Sequence, residues 1–384
     1  MRMSYPSVDQ LQKILTEKVF HYAKDSKKAA GRALGTLVEI ITFYALKSWG
    51  LERHVAIERK LPEFANDDIT HNVEYSLHPA TPLAQIEFNC KLLPLTTTKI
   101  AKNEKLAGIG ITKATLKKST LLNKKYILRN SCTICDFGDN FLNAYLDALG
   151  NDSGTYSVVS LRQRPFAIFE CKRVGVEEGM KKGPQTIEKA KQGAYVARTV
   201  SALQKIRLTD GSMGGLIQKR DGSFRHGDYY ELMAEVIASD DPELLSQFIL
   251  TVGVVSNHGN WFDHKSQNHN KELKVLAQSY DWLLFLTDAG VAQFIDELLF
   301  HPTEGLSAAR DAFLASYTGK KGVNQFTKKQ LSLAADAALQ SYFNSRKKVI
   351  AGWFNIIAPA EKGLDVLKEE LDTLKNKNWQ EIHS

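Results

Sequence analysis

Arg164–Gly175 reads RPFAIFECKRVG. The apolar residues Phe166 to Phe169 lead into Glu170, Cys171 and Lys172. In a strand, alternate side chains point to opposite faces, so Glu170 and Lys172 share one side and Cys171 takes the other. A carboxylate and an ammonium at the end of a buried strand are expensive to desolvate. A divalent ion or an anionic substrate beside them offsets that expense. The pair then suits phosphodiester hydrolysis, with the carboxylate on the ion and the lysine orienting water or balancing developing charge. Glu-x-Lys is also an ordinary pattern for a solvated strand face. The flanks favour the catalytic reading, because an apolar run of this kind is what a central strand needs.

Working outward, Tyr156–Leu161 (YSVVSL) reads as a strand and Arg162–Pro165 as its turn, so that a hairpin is expected to precede the central strand. Glu170-Cys171-Lys172 at the end of such a hairpin resembles the second half of the PD-(D/E)xK nuclease signature, the superfamily of most type II restriction endonucleases. The resemblance covers residues 150 to 210 and extends more loosely to 27–50 and to the strands after 248. It implies a magnesium ion held by Glu170 and by an acid on the first hairpin strand. The corresponding place falls on Ser157, and a serine is a poor magnesium ligand beside a carboxylate. Three explanations stand: the acid comes from Asp152 or, next, Asp139; position 157 carries an inactivating substitution; or the hairpin register differs. Asp152 and Asp139 read equally well as loop residues capping turns.

Upstream, Lys27–Trp49 reads as a helix stopped by Gly50, and residues 7–24 as another with Ser7 at its start. Glu39 sits among Leu37, Val38, Ile40 and Ile41, unusual surroundings for a carboxylate. The resemblance implies that it faces the metal site and assists Glu170 and Lys172. Between 51 and 112, strands are expected at Val55–Lys60, Asn72–His78 and Ala84–Cys90, with a turn at Asn66–Asp68.

Several segments could meet a polyanion. Residues 113–129 (KATLKKSTLLNKKYILR) hold six basic residues and no acid, among them Lys117, Lys118, Lys124 and Lys125; beside a groove they would hold phosphates. Asn130–Asp139 reads as a strand and turn, and Phe141–Leu149 as a short helix. Arg173, Lys181 and Lys182 follow the central strand. A helix from about 185 to 205 carries Gln192 and Tyr195, an imperfect match to the Gln and Tyr of exonuclease-like members. Phe248–Val255 and Trp282–Thr287 read as further buried strands. Between them Asn257, His258, Asn260 and Lys265 lie in a polar segment suited to base edges or backbone; its histidines have no metal-ligand spacing.

The expected fold class is α/β, a mixed central sheet flanked by helices in a restriction-endonuclease-like core (1–301, with inserted DNA-contacting strands and loops), followed by a mainly helical, basic region (302–384). The chain has 384 residues, a net charge of +7, 43% hydrophobic and 24% charged residues. That balance suits polyanion partners without diagnosing them. The cysteines Cys90, Cys132, Cys135 and Cys171 are expected to be free and buried rather than zinc-bound. No apolar run is read as long enough to cross a membrane. The first residues lack the apolar core of a signal peptide, so a cytoplasmic location is expected. The resemblance implies a magnesium-dependent, site-specific endonuclease acting on double-stranded DNA as a homodimer, with a cognate DNA methyltransferase as its partner in a restriction-modification system. A branched- or damaged-nucleic-acid nuclease of the same superfamily, or a non-catalytic nucleic-acid binder on a degenerate core, are the alternatives.

Overall fold

A computed structural model describes residues 8–175, 193–219, 221–258, 271–317 and 324–382. The chain is mixed α/β, and its organising element is a six-stranded mixed sheet. Across it run Val55–Ile57, Tyr75–Leu77, Ala167–Gly175, Leu250–His258, Trp282–Leu286 and Phe354–Ala358. Ala167–Gly175 is central. It pairs in parallel with Leu250–His258 and antiparallel with Tyr75–Leu77. Both its edges are therefore hydrogen-bonded, as its apolar run requires.

The two faces of this sheet have different covers. Phe169, Cys171, Val252, Val254 and Leu284 join one large core with the helices Ser26–Ser48, Ser307–Tyr317 and Leu333–Ser345. On the opposite face, Val255, Leu283 and Phe285 pack with Ala194, Ala197 and Leu276, from helical residues 193–199 and the helix Lys271–Ser279. Burial on both sides stabilises the central strands by roughly 1.5–3 kcal/mol per large apolar side chain.

Ser26–Ser48 is the long helix expected at 27–49. Asp25 caps it by accepting from Lys28 N, and Gly50, at φ 78°, ends it. By length and composition this helix could cross a bilayer, against the expectation of no such run; 67% of its apolar window is buried within the fold. The first helix covers Val8–Ile14 and continues as a π-helical turn, Leu15–Val19; Ser7 lies outside the described residues.

A second, antiparallel sheet is inserted between two neighbouring strands of the first. Its order is Ala80–Asn89, Ser153–Arg162, Asn140–Leu149, Cys132–Phe137, and it has its own apolar core around Ile86, Ile134, Leu142 and Val158. This sheet corrects two expectations. Tyr156–Leu161 is a strand, but it does not form a hairpin with the central strand. Ser153–Arg162 pairs along its length with Ala80–Asn89 and Asn140–Leu149, so neither edge is left to join Ala167–Gly175. Phe141–Leu149 is strand rather than helix. Phe141, Leu142, Ala144 and Tyr145 are buried on both faces, which erases the alternation by which a strand is recognised.

The sheets are joined at His78. Burial drives its pKa down to about 3, leaving a neutral ring. Nδ1 donates to Arg162 O at 2.7 Å and Nε2 accepts from the Ser76 hydroxyl at 2.7 Å. Asn66–Asp68, expected as a turn, belongs to the strand Asn66–Asn72; the turn falls one step earlier, where Ala65 has φ 59°.

The region after 301 is largely helical, as expected, but it is not set apart. Phe354–Ala358 is an edge strand of the central sheet, antiparallel to Trp282–Leu286. Leu339, Phe343, Leu367 and Leu374 belong to the large core. The sequence around 302 therefore marks a change of composition and not a break in packing.

One close approach matters for the site. Gly253 lies opposite Glu170, and a Cβ there would sit 2.7–2.9 Å from the Tyr280 ring. Glycine lets that ring lie flat on the strand beside Glu170. Lys205 fixes the same tyrosine by donating to its carbonyl. The neighbouring Asp281 accepts from Thr251 N at 2.7 Å and Thr251 Oγ1 at 2.9 Å. Gly253→Ala is expected to cost about 1–3 kcal/mol through overpacking. Urea unfolding checks this; an unchanged midpoint would mean that the ring moves freely.

Candidate active site

Glu170 and Lys172 stand on one side of the central strand, and Cys171 faces the large core. Glu170 is 4% exposed. Its Oε2 accepts from the backbone N of Glu74 at 3.0 Å, and its Oε1 lies 3.4 Å from Lys172 Nζ. Gly193 closes the site from above: a Cβ there would overlap the Tyr280 hydroxyl and meet Lys172 Cε at 3.4 Å and Glu170 Cγ at 3.5 Å. The start of the helical segment 193–199 is thus packed onto the Glu170–Lys172 pair.

The strand beside Glu170 is Tyr75–Leu77, with Glu74 at its head. Glu58 follows Val55–Ile57, the next strand over, and its N–H donates to Glu74 O at 3.1 Å. Glu58 has φ 50°, a left-handed conformation that costs a non-glycine residue about 1–2 kcal/mol. Glu39 joins from the long helix, whose backbone is fixed to the strand by Tyr75 Oη donating to Glu39 O at 2.8 Å. The Glu39 carboxylate thus lies within electrostatic reach of Glu170.

A second lysine enters this cluster. Lys328 Nζ lies 3.3 Å from Glu39 Oε2 and 3.0 Å from Glu58 Oε1, and it also contacts Glu74 Oε1. Lys329 contacts Glu58. The backbone of this pair is pinned to the inserted region: Asn130 N donates to Lys329 O at 2.9 Å and Asn130 Nδ2 to Lys328 O at 3.0 Å. Four carboxylates (Glu39, Glu58, Glu74, Glu170) meet three ammonium groups (Lys172, Lys328, Lys329), one net negative charge when all are ionised.

Burial pushes the Glu170 carboxyl above its usual range, with Lys172 opposing and Glu39 adding to the rise. Glu39 is raised for the same first reason, against the pull of Lys328. Burial also works against ionisation of Glu58, but Lys329 and Lys328 outweigh it and hold that carboxyl below its usual range. For Glu170 the folded state holds the proton more tightly than the unfolded chain. Its contribution to stability is full below the ordinary carboxylate value of 4.5 and is lost as pH rises through the raised one. Glu170→Gln is therefore expected to melt above the parent near about pH 8, the gap closing as pH falls. Scanning calorimetry across that range checks the sign; a gap independent of pH would contradict it.

The acids proposed from the assumed hairpin fall elsewhere. Asp152 sits in the turn before Ser153–Arg162, where its carbonyl accepts from Cys90 N at 2.8 Å. Nine strand residues, about 30 Å of chain, separate it from Arg162. Asp139 is exposed in the turn before Asn140–Leu149, and its carbonyl accepts from Gln163 N at 2.8 Å. Neither contacts Glu170. Ser157 belongs to the inserted sheet and donates to Asp147 Oδ2 at 2.7 Å. It does not lie across from Glu170, because the assumed hairpin with the central strand does not form.

Among the proposed DNA contacts, Lys117, Lys118, Lys124 and Lys125 are exposed, with Lys117 paired to Asp136. Lys124 and Lys125 form the turn between Thr120–Leu122 and Ile127–Arg129, and the latter strand pairs with Gln330–Ser332, next to Lys328 and Lys329. Arg173, Asn257 and His258 lie near the ends of the paired central strands. Lys181, Lys182, Gln192, Asn260 and Lys265 are outside the described residues. Tyr195 turns toward Glu63, its hydroxyl 3.3 Å from Oε2.

Sequence reasoning missed Glu74, Glu58 and the inward turn of Lys328. The available signal was Glu74 at the head of the strand-like Tyr75-Ser76-Leu77, but 96 residues separate it from Glu170. The four cysteines are free, and among the described residues no group of three or more His, Cys, Asp or Glu is placed to hold a metal ion in the present arrangement. No family model, curated protein or solved structure matches the chain.

Proposed function

We propose that the protein is a magnesium-dependent endonuclease that hydrolyses phosphodiester bonds of double-stranded DNA at specific sites, in the manner of a type II restriction enzyme. The observation that carries this reading is the Glu170 carboxylate beside Lys172 on the central strand, accepting from the backbone N–H of Glu74 at the head of the adjoining strand. Hard carboxylate oxygens are the donors magnesium prefers, and the ammonium lodged among Glu39, Glu58 and Glu74 marks a place that accepts positive charge. Glu170 and Glu74 would hold the ion, with Glu39 beside them. When bound, it would supply a nucleophilic water at neutral pH and charge stabilisation at the phosphate.

The chain's own groups have separate tasks. Lys172 orients water and offsets charge on the phosphate oxygens. Its Glu170 contact, together with the packing of Gly193, limits its freedom. The strand alternation keeps Cys171 out of the chemistry. The inserted sheet, residues 80–162, provides surface beyond the minimal core from which side chains could reach groove edges. Lys118, Lys124 and Lys125 supply an exposed basic path for phosphates. Cutting both strands of a duplex at one site suits a homodimer. A companion methyltransferase would protect host DNA.

The test is incubation of the purified protein with long duplex DNA, with and without magnesium. Discrete magnesium-dependent fragments support the reading, and their end sequences give the site. Cutting only at ends or junctions would move the protein to a nucleic-acid-processing role. Binding without cutting under all conditions would make it a non-catalytic binder.

A further inference from the structure

We infer that Lys328 is an internal counter-ion that competes with the divalent ion, so that the site is held closed until its ammonium is displaced. This rests on the reading of Glu74 and Glu170 as metal-holding residues. The side chain of Lys328 is 9% exposed and reaches Glu39, Glu58 and Glu74 together. A buried ammonium is tolerated only with such partners, and three carboxylates gathered without a cation would repel one another. Lysine and ion therefore satisfy the same need. Glu74 is the shared group: it contacts Lys328 through its side chain and Glu170 through its backbone. Two cations cannot use that carboxylate without strong mutual repulsion.

The surrounding chain suits displacement. Lys328 precedes the short strand Gln330–Ser332, and its backbone is anchored by Asn130. The flexible lysine stem can swing outward while that anchor stays in place. Lys329 provides an internal comparison: its side chain is 46% exposed and it contacts Glu58 alone of the four acids.

The experiment is calorimetric titration of Mn2+ into the full chain, comparing the parent with Lys328→Met, Lys329→Met and Glu170→Gln. Lys328→Met is expected to bind Mn2+ about tenfold or more tightly than the parent, within the usual range of coupled sites. Lys329→Met should change little, and Glu170→Gln should lose binding. If Glu170→Gln loses binding but Lys328→Met binds no better than the parent, the competition is wrong and the metal site stands. If neither the parent nor folded Lys328→Met binds Mn2+, both ideas fall.

Should Lys328→Met not fold, the parent itself gives the answer. Acetylation of Lys328 by a water-soluble amine reagent, read by mass spectrometry, should accelerate about tenfold or more when Mn2+ is added, as expected for coupled sites. An unchanged rate at saturating Mn2+ overturns the competition.

Discussion

Glu170→Ala is expected to reduce magnesium-dependent cutting of long duplex DNA by more than about 10³-fold, because on the proposed reading it removes a metal-holding carboxylate and with it several kcal/mol of transition-state stabilisation. Lys172→Met should fall by about 10²–10³-fold, the usual effect of removing one group that stabilises developing charge. DNA binding should survive both changes. Removing the Glu170 carboxylate lessens repulsion of phosphate, and the exposed Lys118, Lys124 and Lys125 are untouched. Single-turnover cleavage and a filter-binding assay separate these effects. Full cutting by Glu170→Ala would place the chemistry elsewhere in the molecule.

The second large effect concerns the partner acid. Glu74→Gln is expected to lose as much activity as Glu170→Ala, about 10³-fold, while its backbone N–H still donates to Glu170. Asp152→Asn and Asp139→Asn should remain within about twofold of the parent, as surface changes away from a site do. Ser157→Asp should restore nothing. It would set a second carboxylate against Asp147, which already accepts from Ser157 and is paired with Arg53, and so should lower the melting temperature. Cleavage rates and melting curves for the four variants check this pattern. Activity lost in Asp152→Asn and kept in Glu74→Gln would reverse the assignment.

The contrast between Glu74 and Asp152 shows where the sequence is legible. The central strand was readable because its information is local: an apolar run, then two charges two residues apart. The long helix was readable for the same reason, with Gly50 as its stop, and Glu39 stood out as a carboxylate inside an apolar stretch. Strand pairing is not local. The nearest upstream strand is a tempting hairpin partner, but Ser153–Arg162 has both edges occupied within the inserted sheet. The true neighbour, Tyr75–Leu77, has three residues and lies on the far side of the insertion.

Lys328 was hidden differently. In the sequence it is one of several basic residues near the C-terminal end, and solvation is the ordinary fate of such a charge. What turns it inward is tertiary: Asn130 holds its backbone and carboxylates from three separate elements surround its ammonium. Phe141–Leu149 failed for a third reason. Covered on both faces, it lost the period by which strand and helix are told apart.

The central claim is that Glu74 and Glu170 together hold the divalent ion beside Lys172. Crystals grown with Mn2+, measured at a wavelength where manganese scatters anomalously, test it most directly. The account predicts an anomalous peak about 2.1 Å from carboxylate oxygens of both Glu74 and Glu170, with Lys328 Nζ displaced from Glu74. A peak bound by other acids, or none near Glu170 at saturating Mn2+, would contradict it.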